Sequence, residues 1–190
     1  DQLLLGTHDG KLVYWDLSRQ QATFSTVLHQ GRINEIALGP AGRQVATAGN
    51  DGIVAVWDLQ QRKVQWKLAG GSGHASSVCF NHDATQLATG NADGTIKIWD
   101  LRTGECVQTL HGHQHDVLSV CFNSDSTLLA TGSMDNTARI WNTSSAETLF
   151  TIGHRGSVDC VQFSAVNNML ATASSDATIK LWSTSQQRPY

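Results

Sequence analysis

The sequence predicts an all-β protein built from repeated four-stranded antiparallel sheets. Three observations predict this fold class. Tryptophan recurs at nearly constant intervals, at positions 15, 57, 99, 141 and 182. Around each of these tryptophans, short apolar and β-branched runs alternate with turn residues. No segment keeps a helical period over the roughly ten residues that a helix requires.

The third copy of the repeat shows how the strands are assigned. Leu87–Thr89 and Thr95–Trp99 are short apolar or β-branched runs, and Asn91–Gly94 between them predicts a tight turn. Upstream, Ser77–Phe80 predicts a strand that ends at polar turn residues. Downstream, Cys106–Leu110 predicts a last strand after another turn. Each complete copy therefore predicts four strands.

The first predicted strand of a copy is apolar on both faces. Val117–Phe122 is an example, whereas a sheet with one solvated face should alternate apolar and polar residues. Apolarity on both faces suits sheets that stack face to face. The sequence therefore predicts a β-propeller of four-stranded antiparallel blades, with about four and a half blades present.

The repeated text also resembles a known family. Gly-His pairs such as Gly112-His113, turn aspartates such as Asp51 and endings such as Trp57-Asp58 resemble the WD-repeat (β-transducin-like) family over essentially the whole chain. The resemblance implies a hydrogen-bonded set in each blade, made of a His, a strand Thr, the turn Asp and the Trp. Such a set satisfies buried polar groups, each of which costs about 1–3 kcal/mol when it is left unpaired. The implied sets are His29, Thr47, Asp51 and Trp57; His113, Thr131, Asp135 and Trp141; and His154, Thr172, Asp176 and Trp182.

Two copies depart from this pattern. In the third copy the His position falls on Gly71, and His74 can take the role only if the loop is rearranged. The first copy keeps Asp9 and Trp15 but has Leu5 at the Thr position. We expect the hydrogen-bonded sets to hold these two blades less rigidly than the others.

The repeat divides the chain into five segments. Residues 1–28 form a partial blade, residues 29–68, 69–110 and 111–151 form three blades, and residues 152–190 form a second partial blade. The first partial blade is expected to hold the second to fourth strands, and the last to hold the first three strands, from Val158 to Trp182. This gives 18 strands. Because these ends overlap rather than complement each other, an open arc would expose an apolar face at each end. We therefore expect a piece of a longer chain, a seven-bladed ring by family resemblance, or a partner that caps the ends.

Composition narrows the class of partner. The formal net charge is −3, without the basic excess of nucleic-acid binders, so no nucleic acid is expected. No run approaches the roughly 20 apolar residues that cross a bilayer, so no membrane partner is expected. The four cysteines lie singly, each in an apolar run, which predicts reduced core residues. This predicts an intracellular protein, in the cytoplasm first, with nuclear, centrosomal and ciliary locations as alternatives.

The sequence predicts neither a metal site nor an enzyme. His111, His113 and His115 would share one face of an extended segment, as zinc ligands could. The repeat already gives His113 a structural role, so a polar loop is favoured, and neither a metal nor a cofactor is expected. The sequence has no Gly-x-Ser-x-Gly elbow, phosphate-binding loop or His-Glu-x-x-His motif, so no enzyme is predicted.

The favoured function is a scaffold for protein–protein interaction that docks proteins or peptides on the loop-bearing face of the propeller. The residues expected to contact partners lie in the loops near the channel, where exposed side chains are informative: Arg32, Asn50, His115, Asp116, Met134, Arg155, Asp159 and Ser175. Two alternatives stay open. Trp99-Asp100-Leu101-Arg102 matches a pattern of cullin-RING ubiquitin ligase substrate receptors. Many such propellers also serve in cytoskeletal or ciliary assemblies.

Overall fold

The computed structural model of the chain describes residues 2–166, 169–184 and 188–189. These residues form 19 β-strands in five antiparallel sheets, and none of them lies in a helix. Each sheet is one blade, and the blades are numbered 1 to 5 along the chain. The short apolar runs of the repeat form these strands because successive side chains of a strand point to opposite faces, both of which can be buried.

The strand bounds follow the repeat. Blade 1 has three strands: β1 (Gln2–Gly6), β2 (Lys11–Asp16) and β3 (Gln21–Val27). Blade 2 has four: β4 (Ile33–Leu38), β5 (Gln44–Gly49), β6 (Ile53–Asp58) and β7 (Lys63–Ala69). Blade 3 has β8 (Ala75–Phe80), β9 (Gln86–Asn91), β10 (Ile96–Asp100) and β11 (Glu105–Leu110). Blade 4 has β12 (Val117–Phe122), β13 (Leu128–Ser133), β14 (Thr137–Asn142) and β15 (Thr148–Gly153). Blade 5 has β16 (Val158–Phe163), β17 (Met169–Ser174), β18 (Ile179–Ser183) and β19 (Arg188–Pro189).

Within each blade every strand pairs with its neighbours in the sequence. The first strands of blades 2 to 5, namely β4, β8, β12 and β16, pack beside one another, and we call them the inner strands. Blade 1 has no inner strand among the described residues. Its β1 corresponds to a second strand, because Leu3 pairs with Trp15 as Val45 pairs with Trp57. The three strands that the sequence predicted for blade 1 are therefore the ones observed.

Blade 5 differs from the prediction, which gave it three strands and the chain 18. The structure adds β19, which pairs with β18 through Trp182 and Pro189. Arg188–Pro189 has no β-branched or aromatic residue, so neither propensity nor alternation could reveal it. Two outer strands also extend past the predicted limits, because β7 ends at Ala69 and β15 at Gly153.

The hydrophobic core lies between blades. One cluster joins Val54 and Val56 of blade 2 to Val78, Phe80 and other residues of blade 3. Equivalent clusters join blades 3 and 4, blades 4 and 5, and blades 1 and 2. Since each blade completes the burial of its neighbour, stability depends on the stacking of blades more than on any single sheet.

A β-bulge near the start of each inner strand connects it to the previous blade. Register shifts occur between Ile33 and Glu35 and at the equivalent points of β8, β12 and β16. Beyond the bulge, an N–H of one inner strand points at a side chain of the preceding one. Val78 N donates to Glu35 Oε2 at 2.7 Å, Val120 N to Ser77 Oγ at 3.0 Å and Val161 N to Ser119 Oγ at 3.1 Å. We call this series the inner-strand ladder.

Glu35 is the one charged acceptor of the ladder. Burial raises the pKa of its carboxyl group, and the hydrogen bonds from Ser77 and from the Val78 N–H oppose this only in part. A raised folded-state pKa means that folding favours the protonated acid. Its contribution to stability is fully present below the unfolded value, near 4.5, and is lost as the pH rises through the folded pKa.

Glu35→Gln is therefore expected to raise the melting temperature at pH 7, because it removes a partly buried charge and keeps an oxygen that can accept the Val78 N–H. The gain should shrink as the pH falls towards 4.5, where the wild-type carboxyl group becomes neutral. Thermal unfolding at both pH values measures this. Glu105→Gln on the exposed face of β11 is the control and should change little. A lower melting temperature for Glu35→Gln at pH 7 would contradict the assignment.

Candidate partner-binding rim

Each inner strand has one bulged residue near its start. A bulged residue has no pairing partner on the neighbouring strand of its own sheet, and its side chain is therefore redirected. The four bulged residues are Asn34, Ser76, Leu118 and Asp159. Two of them reach the next blade: Asn34 Nδ2 donates to Ala75 O at 2.8 Å, and Ser76 Oγ donates to Asp116 Oδ1 at 2.5 Å.

Blade 4 contains the complete hydrogen-bonded set, next to the start of its inner strand β12. The His113 ring lies 2.8 Å from Asp135 Oδ2 through Nδ1 and 2.7 Å from Thr131 Oγ1 through Nε2. Trp141 Nε1 donates to the same Thr131 hydroxyl at 2.9 Å. Asp135 also accepts the Gln114 N–H, so the set fixes the loop that leads into β12. The set thereby connects the second and third strands of blade 4, β13 and β14, to the loop before its inner strand.

Burial sets the ionisation of this set. It lowers the pKa of the His113 imidazole, and the Asp135 carboxylate opposes this only in part. Although burial alone would raise the pKa of Asp135, hydrogen bonds from Thr137 and His113 lower it. Both shifts act in the same direction, because a depressed folded-state pKa gives stability that is lost as the pH falls.

Blades 2 and 5 keep the histidine part of the set but not the tryptophan part. His29 contacts Asp51 at 2.9 Å and Thr47 at 2.7 Å, and His154 contacts Asp176 at 3.3 Å and Thr172 at 2.9 Å. Trp57 Nε1, however, donates to Tyr14 Oη of blade 1 at 2.6 Å. Trp182 Nε1 is buried and has no hydrogen-bond partner in the described part of the chain. These two tryptophans depart from the expected sets.

Blade 3 replaces the histidine by an asparagine from another strand. Asn91 Nδ2 donates to Thr95 O at 3.0 Å and Thr95 Oγ1 at 3.2 Å. In blade 4 the equivalent Thr137 Oγ1 lies 3.3 Å from His113 Nδ1. A Cβ atom on Gly70 would come 2.5 Å from Asn91 Oδ1, so the Asn91 amide fills the space beside the glycine loop.

His74 does not take the position of Gly71. Its Nε2 lies 2.8 Å from Asp116 Oδ2 of blade 4, and Ser76 holds the other carboxylate oxygen. Sequence reasoning missed this contact between blades. The signal was available, because His74 and Asp116 lie 42 residues apart, at the same position of successive repeats.

The eight residues predicted to contact partners lie just before or at the start of an inner strand, or in the turn after the second strand of a blade. Together they are called the rim surface: Arg32, Asn50, His115, Asp116, Met134, Arg155, Asp159 and Ser175. All are exposed except Asp116, whose side chain is 12% accessible beneath His74. The structure brings them together in pairs, since Asn50 N donates to Arg32 O at 2.8 Å and Met134 N donates to Asp116 O at 2.9 Å. Their role in binding stays a prediction.

The three closely spaced histidines are not arranged as metal ligands. Both ring nitrogens of His113 are hydrogen-bonded inside blade 4, whereas His111 and His115 are exposed. Among the described residues, no group of three or more His, Cys, Asp or Glu side chains could hold a metal ion. The described residues also include no helix that is long and apolar enough to cross a membrane.

Comparison with known families agrees with the repeat and its geometry. The family model described as "WD domain, G-beta repeat" matches residues 20–58, 63–100, 104–142 and 146–183. The chain belongs to the WD-repeat family. Each matched WD repeat starts near the outer strand of one blade and ends with the third strand of the next, as residues 20–58 hold β3 to β6. WD repeats are generally protein-interaction scaffolds and typically not enzymes. No curated protein matches this WD-repeat chain.

His113→Ala is expected to lower the free energy of unfolding by about 2–3 kcal/mol, because it removes the two buried hydrogen bonds that the imidazole makes with Thr131 and Asp135. Urea unfolding at pH 7 measures this. His111→Ala, on an exposed side chain two residues away, is the control and should change the free energy little. The wild type should also lose stability between about pH 7 and 5, and His113→Ala should lose less. Equal effects of the two substitutions would contradict the assignment.

Gly71→His combined with Asn91→Ser should rebuild the blade 4 arrangement in blade 3, because His113 and Ser133 occupy these positions there. Each single substitution should destabilise. A Cβ atom on Gly71 would come 2.6 Å from Asp93 Oδ2, and the new imidazole would compete for the space that the Asn91 amide fills, whereas Asn91→Ser removes the bonds to Thr95. The double variant should be more stable than the two single effects predict, by about 1 kcal/mol or more. Purely additive effects in a double-mutant cycle would show that the two residues do not exchange roles.

Proposed function

We propose that this WD-repeat chain is a scaffold that docks protein or peptide partners on the rim surface. The observation that carries the proposal is the combination of exposed side chains with a fixed backbone. Seven of the eight rim residues are exposed. The backbone bonds at Asn50 and Met134 tie the turns to the inner strands, so binding would order little of the main chain.

The rim also has the chemistry of a protein interface. Arg32 and Arg155 carry cationic guanidinium groups, Asp159 carries a carboxylate, and Met134 offers a flexible apolar contact that is 53% exposed. Arginine and methionine are enriched in interfaces. The proposal includes no catalysis, because the ring nitrogens of His29, His113 and His154 are bonded within the blades.

The two end blades support a second docking function: remaining blades of the same chain, or a capping partner, would cover them. Leu3 and Leu5 of blade 1 are 45% and 38% exposed, and Ile179 and Leu181 of blade 5 are 73% and 47% exposed. The equivalent positions of blades 2 to 4 are buried against a neighbouring blade. Contiguous exposed apolar surface of this kind marks an interaction site.

Arg102 supports the ubiquitin-ligase alternative. Its side chain is 81% exposed, and its guanidinium lies 3.6 Å from Asp100 Oδ2, so it is available to a partner. Arg102→Ala should then weaken binding to a ligase adaptor, whereas Arg19→Ala at another exposed turn should not. The cytoskeletal alternative has no residue that favours it. An intracellular, cytoplasmic location stays part of the proposal and is supported by the four free cysteines. Cys106 and Cys160 are exposed, so the prediction that the cysteines lie in the core is wrong for these two.

Met134 and Val107 provide a matched test of the rim. They are 53% and 54% exposed, but Met134 lies on the rim surface and Val107 on the outer strand β11. A photo-crosslinking amino acid placed at Met134 should capture partner polypeptides in cells, and the same group at Val107 should capture few or none. Mass spectrometry of the crosslinked products reports the outcome. Equal capture at both positions would overturn the rim as the docking surface.

A further inference from the structure

The third strand of blades 3, 4 and 5 carries a cation. Lys97, Arg139 and Lys180 are equivalent, because each pairs with the buried Thr of the second strand of its blade. Lys97 Nζ donates to Ala69 O of blade 2 at 3.4 Å, and Lys180 Nζ donates to Gly153 O of blade 4 at 2.6 Å. Both lysines are thus held at the end of the outer strand of the preceding blade.

Blade 2 has its cation on a different strand. Ala55 takes the position of Lys97 and Arg139, because it pairs with Thr47 of the second strand. Lys67 lies directly opposite Ala55 on the outer strand β7, where blades 3 and 4 have threonine. Cross-strand partners lie on the same face of a sheet, and Ala55 packs against blade 1. Lys67 therefore also faces blade 1, one strand further out than the cations of the other blades.

The loop before β4 compensates for the absence of a cation from the third strand of blade 2. Leu28 stands at the position that Gly70 and Gly112 take in the next two copies of the repeat. A Cβ atom on Gly112 would come 2.9 Å from Arg139 Nη1, so glycine leaves room for the cation there. Leu28 is instead 4% exposed and packs in the same apolar cluster as Ala55. The large and the small residue are exchanged, and an apolar contact closes this junction.

A groove of about 480 Å³ lies at the same junction. Its lining includes Leu28, Gln30, Ile53 and Lys67. None of its lining residues belongs to β1 or to blade 5, so the groove lies between two neighbouring blades and not at an end of the arc. We call it the lysine groove.

Lys67 is the charged group of the lysine groove that lacks a partner. Its side chain is exposed, and it makes no hydrogen bond or ion pair within the part of the chain that the structure describes. The groove also contains Asp51, but both of its carboxylate oxygens are bonded. Asp51 Oδ1 lies 2.9 Å from His29 Nδ1, and Oδ2 accepts the Gln30 N–H at 2.8 Å. The groove therefore offers one unpaired cation beside apolar side chains.

We propose that the lysine groove binds an acidic side chain of a protein partner, in a segment where apolar residues flank the acidic one. Lys67 pairs with the carboxylate, and Ile53 contacts an apolar neighbour. Opposite charges at such a contact give specificity and speed the encounter. The groove adjoins the rim surface, because Asp51 directly follows Asn50. The inference rests on the scaffold function proposed above and names the chemistry of the partner.

The peptide acetyl-Leu-Glu-Leu-amide is the direct probe, and the control peptide has Gln in place of Glu. Binding to the 190-residue chain is measured by ¹⁵N chemical shifts at low ionic strength. The acidic peptide should bind saturably and shift the amides of Gln30, Ile53 and Lys67. It should bind about two- to fivefold more tightly than the Gln peptide, as expected for one ion pair near the surface. Sodium chloride at about 0.5 M should remove this difference, because it screens the pair.

Two protein variants make the result specific to the lysine groove. Lys67→Gln should abolish the preference for the acidic peptide, whereas Lys63→Gln should keep it, because Lys63 is an exposed lysine at the other end of β7. Equal affinity of the wild type for both peptides would overturn the role of the charge, and shifts confined to other blades would overturn the site. Dimerisation of the chain that Lys67→Gln abolishes would assign the groove to a second copy and overturn the proposal. Crosslinking at Met134 is independent of all these outcomes, so failure here leaves the scaffold function standing.

Discussion

The inner-strand ladder is the constraint on which the rest of the molecule depends. Neighbouring blades could bury the apolar faces of a blade at many distances and angles, because the hydrophobic effect has no preferred direction. A hydrogen bond from Val120 N to Ser77 Oγ at 3.0 Å is directional, and equivalent bonds recur between three successive pairs of blades. The bonds fix the separation of the inner strands. The bulge that frees these N–H groups also turns Ser76 and its equivalents towards the rim.

The polar sets beneath the rim explain why it can vary without loss of the fold. In blade 4, His113, Asp135 and Thr131 hold the loop before β12, while Met134 and His115 next to them remain exposed. Blade 3 reaches a similar result with Asn91, and this releases His74 to contact Asp116 across the blade boundary. The buried polar residues thus hold the turns, and the exposed residues of the same turns make few contacts within the fold. A scaffold that docks partners on these exposed side chains fits this division of roles.

The sequence alone predicted much of this fold because the information is periodic. A constant spacing of tryptophans and turn residues determines the strands, their order and the partners of His29, His113 and His154. Contacts between blades were harder to predict. The Trp57 indole N–H donates to the Tyr14 hydroxyl of blade 1 at 2.6 Å, and this bond replaces the expected bond to Thr47. The repeat period shows which residues are equivalent. It does not show which side chain of a neighbouring blade is long enough to accept the indole hydrogen bond instead. β19 was not predicted for another reason, since a strand of two residues shows no alternation of apolar and polar side chains.

Native-state hydrogen exchange of the inner-strand amides tests the ladder most directly. Val78, Val120 and Val161 occupy equivalent positions, and the N–H group of each has an acceptor on the preceding inner strand. The account predicts that these three amides exchange only through extensive unfolding. Exchange of Val78, Val120 and Val161 as fast as amides in the exposed turns would contradict it.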